Sequence, residues 1–143
     1  MTAIPSVGDR MPTCEVEVGR DSVIRYCGAS GDFNPLHWSD RVAIDAGLPG
    51  VIAHGMLTMG VASRVLLEWC GDPGAVVSYR SRFARPFPVP DEAEPPRIEI
   101  AAEVTAVEGD LVTVGLSVRQ GDDDLLSRAE AQLRWPGQAS TAN

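Results

Sequence analysis

The chain has 143 residues, of which 44% are hydrophobic and 22% charged, with a formal net charge of −8. That length suits one domain with a sizeable core, and the balance excludes disordered and fibrous classes. The acidic balance argues against a nucleic-acid partner, and the complete lack of lysine excludes Schiff-base chemistry, pyridoxal-phosphate attachment and a P-loop.

In chain order, residues 13–20 read as a short strand. Arg20–Cys27 reads as a short helix with Asp21 or Ser22 as its N-cap. A Gly/Asn/Pro loop follows around Asp32, then a short helix over Asp40–Ala46, broken by Gly47, Pro49 and Gly50. Gly55–Trp69 is the one long helix, apolar on nearly every side except Arg64 and Glu68, and such a helix is expected to be buried. Gly71 and Asp72-Pro73 end it. The period then changes to two. Ala75, Val77, Tyr79 and Phe83 alternate with Ser78, Arg80 and Arg82, and 97–107, 111–119 and 125–135 alternate in the same way. Glu108-Gly109-Asp110 and Gly121–Asp124 read as hairpin turns, and Pro86–Pro96 as a long linker.

This pattern predicts an α+β domain over 1–135: a strand, a loop-rich insert, one buried helix and a four-strand antiparallel meander, with one sheet wrapped around the helix. Residues 136–143 read as a disordered tail.

The chemistry concentrates in Ser30–His37 and in His54-Gly55, a window that holds both histidines of the chain. Asp32 and His37 are five positions apart, and the Asn34-Pro35 pair between them breaks any regular helix. Histidine titrates near neutrality, and a carboxylate beside it can orient water or share proton transfer. Asn34 adds an amide. Gly-Asp-Phe-Asn-Pro is also a good turn sequence in its own right. Gly55 stands where the long helix opens, with unbonded amides and the positive end of the helix dipole. A glycine there admits a carbonyl close to the backbone, and one such donor to an oxyanion is worth about 3–4 kcal/mol. Acid, base and oxyanion donor are what adding water to an enoyl thioester, or removing it, requires. His54 itself reads as packing or support. Asp32, His37 and His54 lack the ligand spacing typical of zinc, so no metal is expected.

These residues carry a resemblance. Tyr26–His37, Tyr-Cys-Gly-Ala-Ser-Gly-Asp-Phe-Asn-Pro-Leu-His, resembles the hydratase-2 motif of the MaoC-like (R)-specific enoyl-thioester hydratases and dehydratases. Ala53–Leu57 resembles that family's second block. Trp38 and the Trp69–Gly74 segment look most like the catalytic subunit of the actinobacterial (3R)-hydroxyacyl-ACP dehydratase of fatty-acid synthase II. The resemblance implies a hot dog fold, a curved antiparallel sheet around a long central helix. It implies that Asp32 and His37 form the catalytic pair and that the Gly55 N–H binds the thioester oxygen. Asn34 then helps order the loop and the water, and Ser63 matches a supporting serine. It implies acyl-CoA or acyl-carrier-protein thioesters as substrates, no cofactor, and a homodimer or a heterodimer with a homologous hot dog subunit.

Arg80, Arg82 and Arg85 form the densest basic group, a candidate holder of CoA phosphates or of an acyl carrier. A solvated strand face explains them equally well. An acyl-thioester hydrolase on the same fold and a non-catalytic partner subunit stay open as alternatives. Acyl chain length should depend on a tunnel under residues 38–53. Cys14, Cys27 and Cys70 read as reduced, packed thiols, and no run of about 18 apolar residues or signal-like start is present. A cytoplasmic location is therefore expected, with no membrane partner.

Overall fold

A computed structural model describes residues 3–91 and 94–136; the predicted tail, apart from Pro136, lies outside the described residues. The elements are β1 (Cys14–Glu17), α1 (Arg20–Ser30), a 3₁₀ turn at Pro35–His37, α2 (Asp40–Asp45), α3 (Gly55–Cys70), β2 (Val76–Phe83), β3 (Arg97–Glu108), β4 (Leu111–Gln120) and β5 (Asp123–Arg134). Among the described residues they build one antiparallel sheet in the order β1-β3-β4-β5-β2, with α3 against its inner face.

The four-strand meander needs correction. Only β3, β4 and β5 follow one another, while β2 pairs with β5 at the far edge. Prolines at 86, 88, 90, 95 and 96 explain the jump, since with so many amide donors missing this stretch cannot pair along β2. Nor is it a free linker. Phe87 and Val89 are buried, Ala53 N–H donates to Phe87 O at 2.8 Å, and Val89 N–H donates to Val51 O at 2.9 Å. The crossover therefore clamps the residues that lead into α3.

The alternation read for β2 also fails. Register shifts fall at Val76/Ser78 and Arg80/Arg82, and Val77 and Phe83 are exposed while Tyr79 turns inward. A bulge adds one residue to one strand and so flips the faces beyond it. Tyr79 sits without a hydrogen-bond partner among the described residues, and burial pushes its hydroxyl up to about 12. The predicted turns hold, with Gly109 and Gly121 at φ of 64° and 56°, where glycine is the residue without a steric penalty.

Helix α3 buries Thr58, Ala62, Val65, Leu66 and Cys70, and Gly71 closes it in the left-handed conformation. It is not buried all round. Met56, Gly60, Arg64 and Glu68, spaced one turn apart, face outward. Trp69 meets Trp135 edge to face at 5.0 Å and joins the helix end to the last strand. Helix α1 starts at Arg20 as read, so both predicted caps, Asp21 and Ser22, lie inside it. Gly19 is the N-cap without a side-chain bond, and the helix runs on to Ser30, where Gly31 ends it at φ 74°.

Candidate active site

The loop after α1 is held by its own side chains. Ser30 Oγ donates to Tyr26 O at 2.6 Å and accepts from Asp32 N–H at 3.2 Å. Asp32 Oδ1 accepts from Asn34 N–H at 3.1 Å, and Asn34 Oδ1 accepts from Leu36 N–H at 3.2 Å. These Asx turns replace a helix that Pro35 forbids. Asn34 thus orders the loop through its carbonyl, and it caps the 3₁₀ turn that delivers His37.

His37 Nδ1 lies 2.8 Å from Ile52 O. A carbonyl only accepts, so Nδ1 carries the proton and Nε2 presents a lone pair. That lone pair lies 4.0 Å from Asp32 Oδ2. Two acceptors at this separation, each making a hydrogen bond of about 2.8 Å, can share one water that donates to both. His37 is largely buried at 12% side-chain exposure, while Asp32 is half exposed at 52%.

His54 is buried behind the pair. Its Nε2 lies 3.1 Å from the Asp32 carbonyl and 3.8 Å from Cys27 Sγ, and its ring stacks on His37 with centroids 3.6 Å apart. Burial holds its pKa below the ordinary imidazole range, and the nearby His37 adds to this. The bond to the Asp32 carbonyl and the Asp32 charge oppose it only in part. The linkage has a definite sign. Unfolded His54 takes up a proton near pH 6.5 and the folded form only lower, so the unfolded state binds more protons in that window. Stability should fall as pH drops from about 6.5 to the folded pKa. The His54→Phe variant, compared by urea titration across this range, should lack that part of the slope; identical slopes would contradict it. Burial and the Asp32 carboxylate push the Cys27 thiol up as well, which makes it a packed, protonated group and not a nucleophile.

Asp32, His37 and His54 bring one donor atom each within 4.8 Å of one another. A metal there would need His54 Nε2 to release its bond to the Asp32 carbonyl.

Gly55 opens α3 beside His37, and both line a cavity of about 300 Å³. Its other walls come from Ile52, Thr58, Phe83, Phe87 and Leu126. The wall expected under residues 38–53 is thus supplied largely by the end of β2, the proline-rich crossover and β5, of which sequence reading connects only the Arg80–Arg85 stretch to the substrate. A Cβ on Gly55 would lie 2.7 Å from the Phe83 ring. Gly55→Ala must therefore push that ring off its seat, and kcat should fall by about 10–100-fold. Phe83→Ala should lower it too, and the double variant should lose no more than the worse single, because both break one contact. Fully additive losses would show that the contact is irrelevant.

The structure does not bring every candidate here. Ser63 faces a separate surface depression with Arg64, Leu67 and Gly71. Arg80 pairs with Glu130 at 2.6 Å, and Arg82 lies beside that pair on the sheet edge. Of the three arginines Arg85 is the one that lines the cavity, with Asp123 at 3.0 Å. Sequence reading also missed Arg20, whose guanidinium grips both oxygens of Asp40, at 2.7 and 2.9 Å, and also bonds Val89 O. Asp40 in turn accepts from Val51 N–H at 2.9 Å, so α1, α2 and the lead-in to α3 are tied together. The Arg20 guanidinium, with the Val51 bond, holds the Asp40 carboxyl below its usual range.

The family model described as "MaoC like domain" matches residues 5–115. The chain belongs to the MaoC-like family. It is 36% identical over 81 residues to a "Probable enoyl-CoA hydratase 2" of Dictyostelium discoideum, covering 54% of this chain and 28% of that protein. It is 35% identical to a "3-hydroxyacyl-thioester dehydratase Y" of Mycobacterium tuberculosis, covering 75% of this chain and 41% of that one. A solved "MaoC-like dehydratase" superposes with a TM-score of 0.86 at 34% identity, over 92% of this MaoC-like chain and 41% of the other. The chain thus spans less than half the length of these relatives. The sheet wrapped on α3 is the MaoC-like hot dog fold.

Proposed function

We propose that this MaoC-like domain catalyses reversible, (R)-specific hydration of trans-2-enoyl thioesters and, in reverse, dehydration of 3-hydroxyacyl thioesters. The observation that carries it is the pair of acceptors, Asp32 Oδ2 and His37 Nε2, 4.0 Å apart beside a cavity that also reaches the first amide of α3. In hydration, a water donates to both. Its oxygen bonds to the β-carbon as its proton passes to the pair. The electrons of the double bond move toward the thioester oxygen, which the Gly55 N–H stabilises. The α-carbon then takes a proton and the carbonyl re-forms. With Asp32 ionised and His37 in the tautomer described, the pair starts with no proton to give, so the one taken from water is the one returned. The names of the hydratase and dehydratase relatives support the same reaction.

Purified protein with trans-2-enoyl-CoA substrates of graded length, followed by loss of the enoyl absorbance and by product chirality, tests this. An (R)-3-hydroxyacyl product supports it. Release of free thiol would instead make the chain a hydrolase, inactivity a non-catalytic subunit, and loss of activity on chelation a metal enzyme.

The carrier would enter at Arg85. Arg85→Glu should raise KM for the CoA thioester about fivefold with kcat little changed, and reversing Arg80 and Arg82 together should raise it less. An unchanged KM in Arg85→Glu refutes the assignment. A second hot dog subunit, identical or homologous, is proposed to pair along β2. That strand is an edge among the described residues and exposes Val77 and Phe83. No helix among the described residues is long and apolar enough to cross a membrane. A cytoplasmic site of action rests on the free cysteines.

A further inference from the structure

We propose that His54 is the positioning residue that locks the catalytic groups to one another, holding the Asp32 loop, backing His37 and carrying Gly55 on its own next peptide. The inference rests on the hydration reading for the reaction, but its geometry stands apart from it.

Three connections converge on this one residue, two of them through its ring. Its Nε2 reaches the Asp32 carbonyl at 3.1 Å. That carbonyl can only accept, so His54 is the Nε2–H tautomer. Its face lies on His37, with ring centroids 3.6 Å apart and the planes 25° from parallel. Its backbone caps α3, and its carbonyl accepts from Thr58 N–H at 3.2 Å, which sets where the helix and the Gly55 amide begin. Tyr26 packs edge-on at 4.8 Å, and Cys27 Sγ lies 3.8 Å from the same Nε2. The groups facing the ring are therefore Asp32, His37, Tyr26 and Cys27, and solvent barely reaches it at 3% exposure.

Few side chains can make both ring connections. Phenylalanine would stack but not donate. Glutamine would donate but not stack. A lysine or arginine would bury a second cation beside a histidine that must accept a proton. The neutral state suits the task, because His37 can then charge without a charged neighbour at its face. Buried Nδ1 has no partner among the described residues, so protonating it would gain no hydrogen bond.

The chain has two histidines, so nitrogen-15 NMR of the imidazoles reads both rings. In the unaltered protein His54 is expected as Nε2–H and His37 as Nδ1–H. In His54→Gln the stack that seats the His37 ring against Ile52 O is lost, and His37 should become a tautomer mixture. In enoyl-CoA hydration, His54→Phe and His54→Gln should each lower kcat by about 30–100-fold with KM within about threefold. In a His37→Gln background the same substitutions should cost far less, because the pair they disturb is already disabled. An unchanged His37 tautomer in His54→Gln, a kcat within about threefold in both variants, a loss confined to KM, or full additivity with His37→Gln would each overturn the proposal. Should His54→Phe fail to fold, His54→Gln carries the kinetic arm. If the unaltered protein hydrates no enoyl thioester, the reaction reading fails while the NMR arm still decides the role of His54.

Discussion

Asp32→Asn and His37→Gln each lower kcat for enoyl-thioester hydration by about 10²–10⁴-fold, with circular dichroism unchanged. The expectation follows from the acceptor geometry. Asparagine keeps a carbonyl oxygen to accept from Asn34 N–H, so the loop survives, but it offers an N–H₂ where Oδ2 faced the water. Glutamine at 37 loses the Nε2 lone pair, 4.0 Å from Asp32, that receives the proton. In the proposed mechanism both residues act on one water, so the double variant should fall no further than the worse single. Hydration at more than about a tenth of the original kcat in either single variant would defeat the assignment of the pair.

The second large effect concerns stability. Leu66 is fully buried on α3, at the centre of the core that the sheet encloses. Leu66→Ala should cost about 2–5 kcal/mol, through the apolar surface returned to water on unfolding and the cavity left in the native state. For a domain of this size that lowers Tm by roughly 10 °C. Met56, on the same helix but 55% exposed, gives the contrast, since Met56→Ala should change stability by no more than about 0.5 kcal/mol. Parallel calorimetry of the two settles it. Equal losses would mean that the outward strip of α3 is covered in solution.

The parts legible in the sequence are those whose signal is local. The apolar run closed by Gly71 marks α3 almost to the residue, and Gly109 and Gly121 mark the hairpins of β3–β4–β5. Asp32 and His37 are legible because a short loop motif carries both. What depends on distant segments was not legible. The place of β2 was hidden because its bulges break the alternation and because prolines turn the chain away from the expected hairpin. The cavity wall was hidden because Phe83, Phe87 and Leu126 come from three different elements. The stack of His54 on His37, and the tautomer that Ile52 imposes, are set by tertiary contacts alone. Arg85, not Arg80, reaches the cavity for the same reason: the bulge at Arg80/Arg82 shifts which side chains face which way.

The clamp between residues 51–53 and 87–89 also fixes an order of assembly. Those two stretches lie far apart along the chain, with α3 and β2 between them, and closing such a loop costs entropy before any contact repays it. The motif loop, α1 and α3 can each form from neighbours, yet the lead-in to His54-Gly55 is complete only when Phe87 and Val89 dock. During refolding, catalytic competence should therefore return after helix and sheet signals, and a chain that stops before the crossover would carry every catalytic residue without a working site.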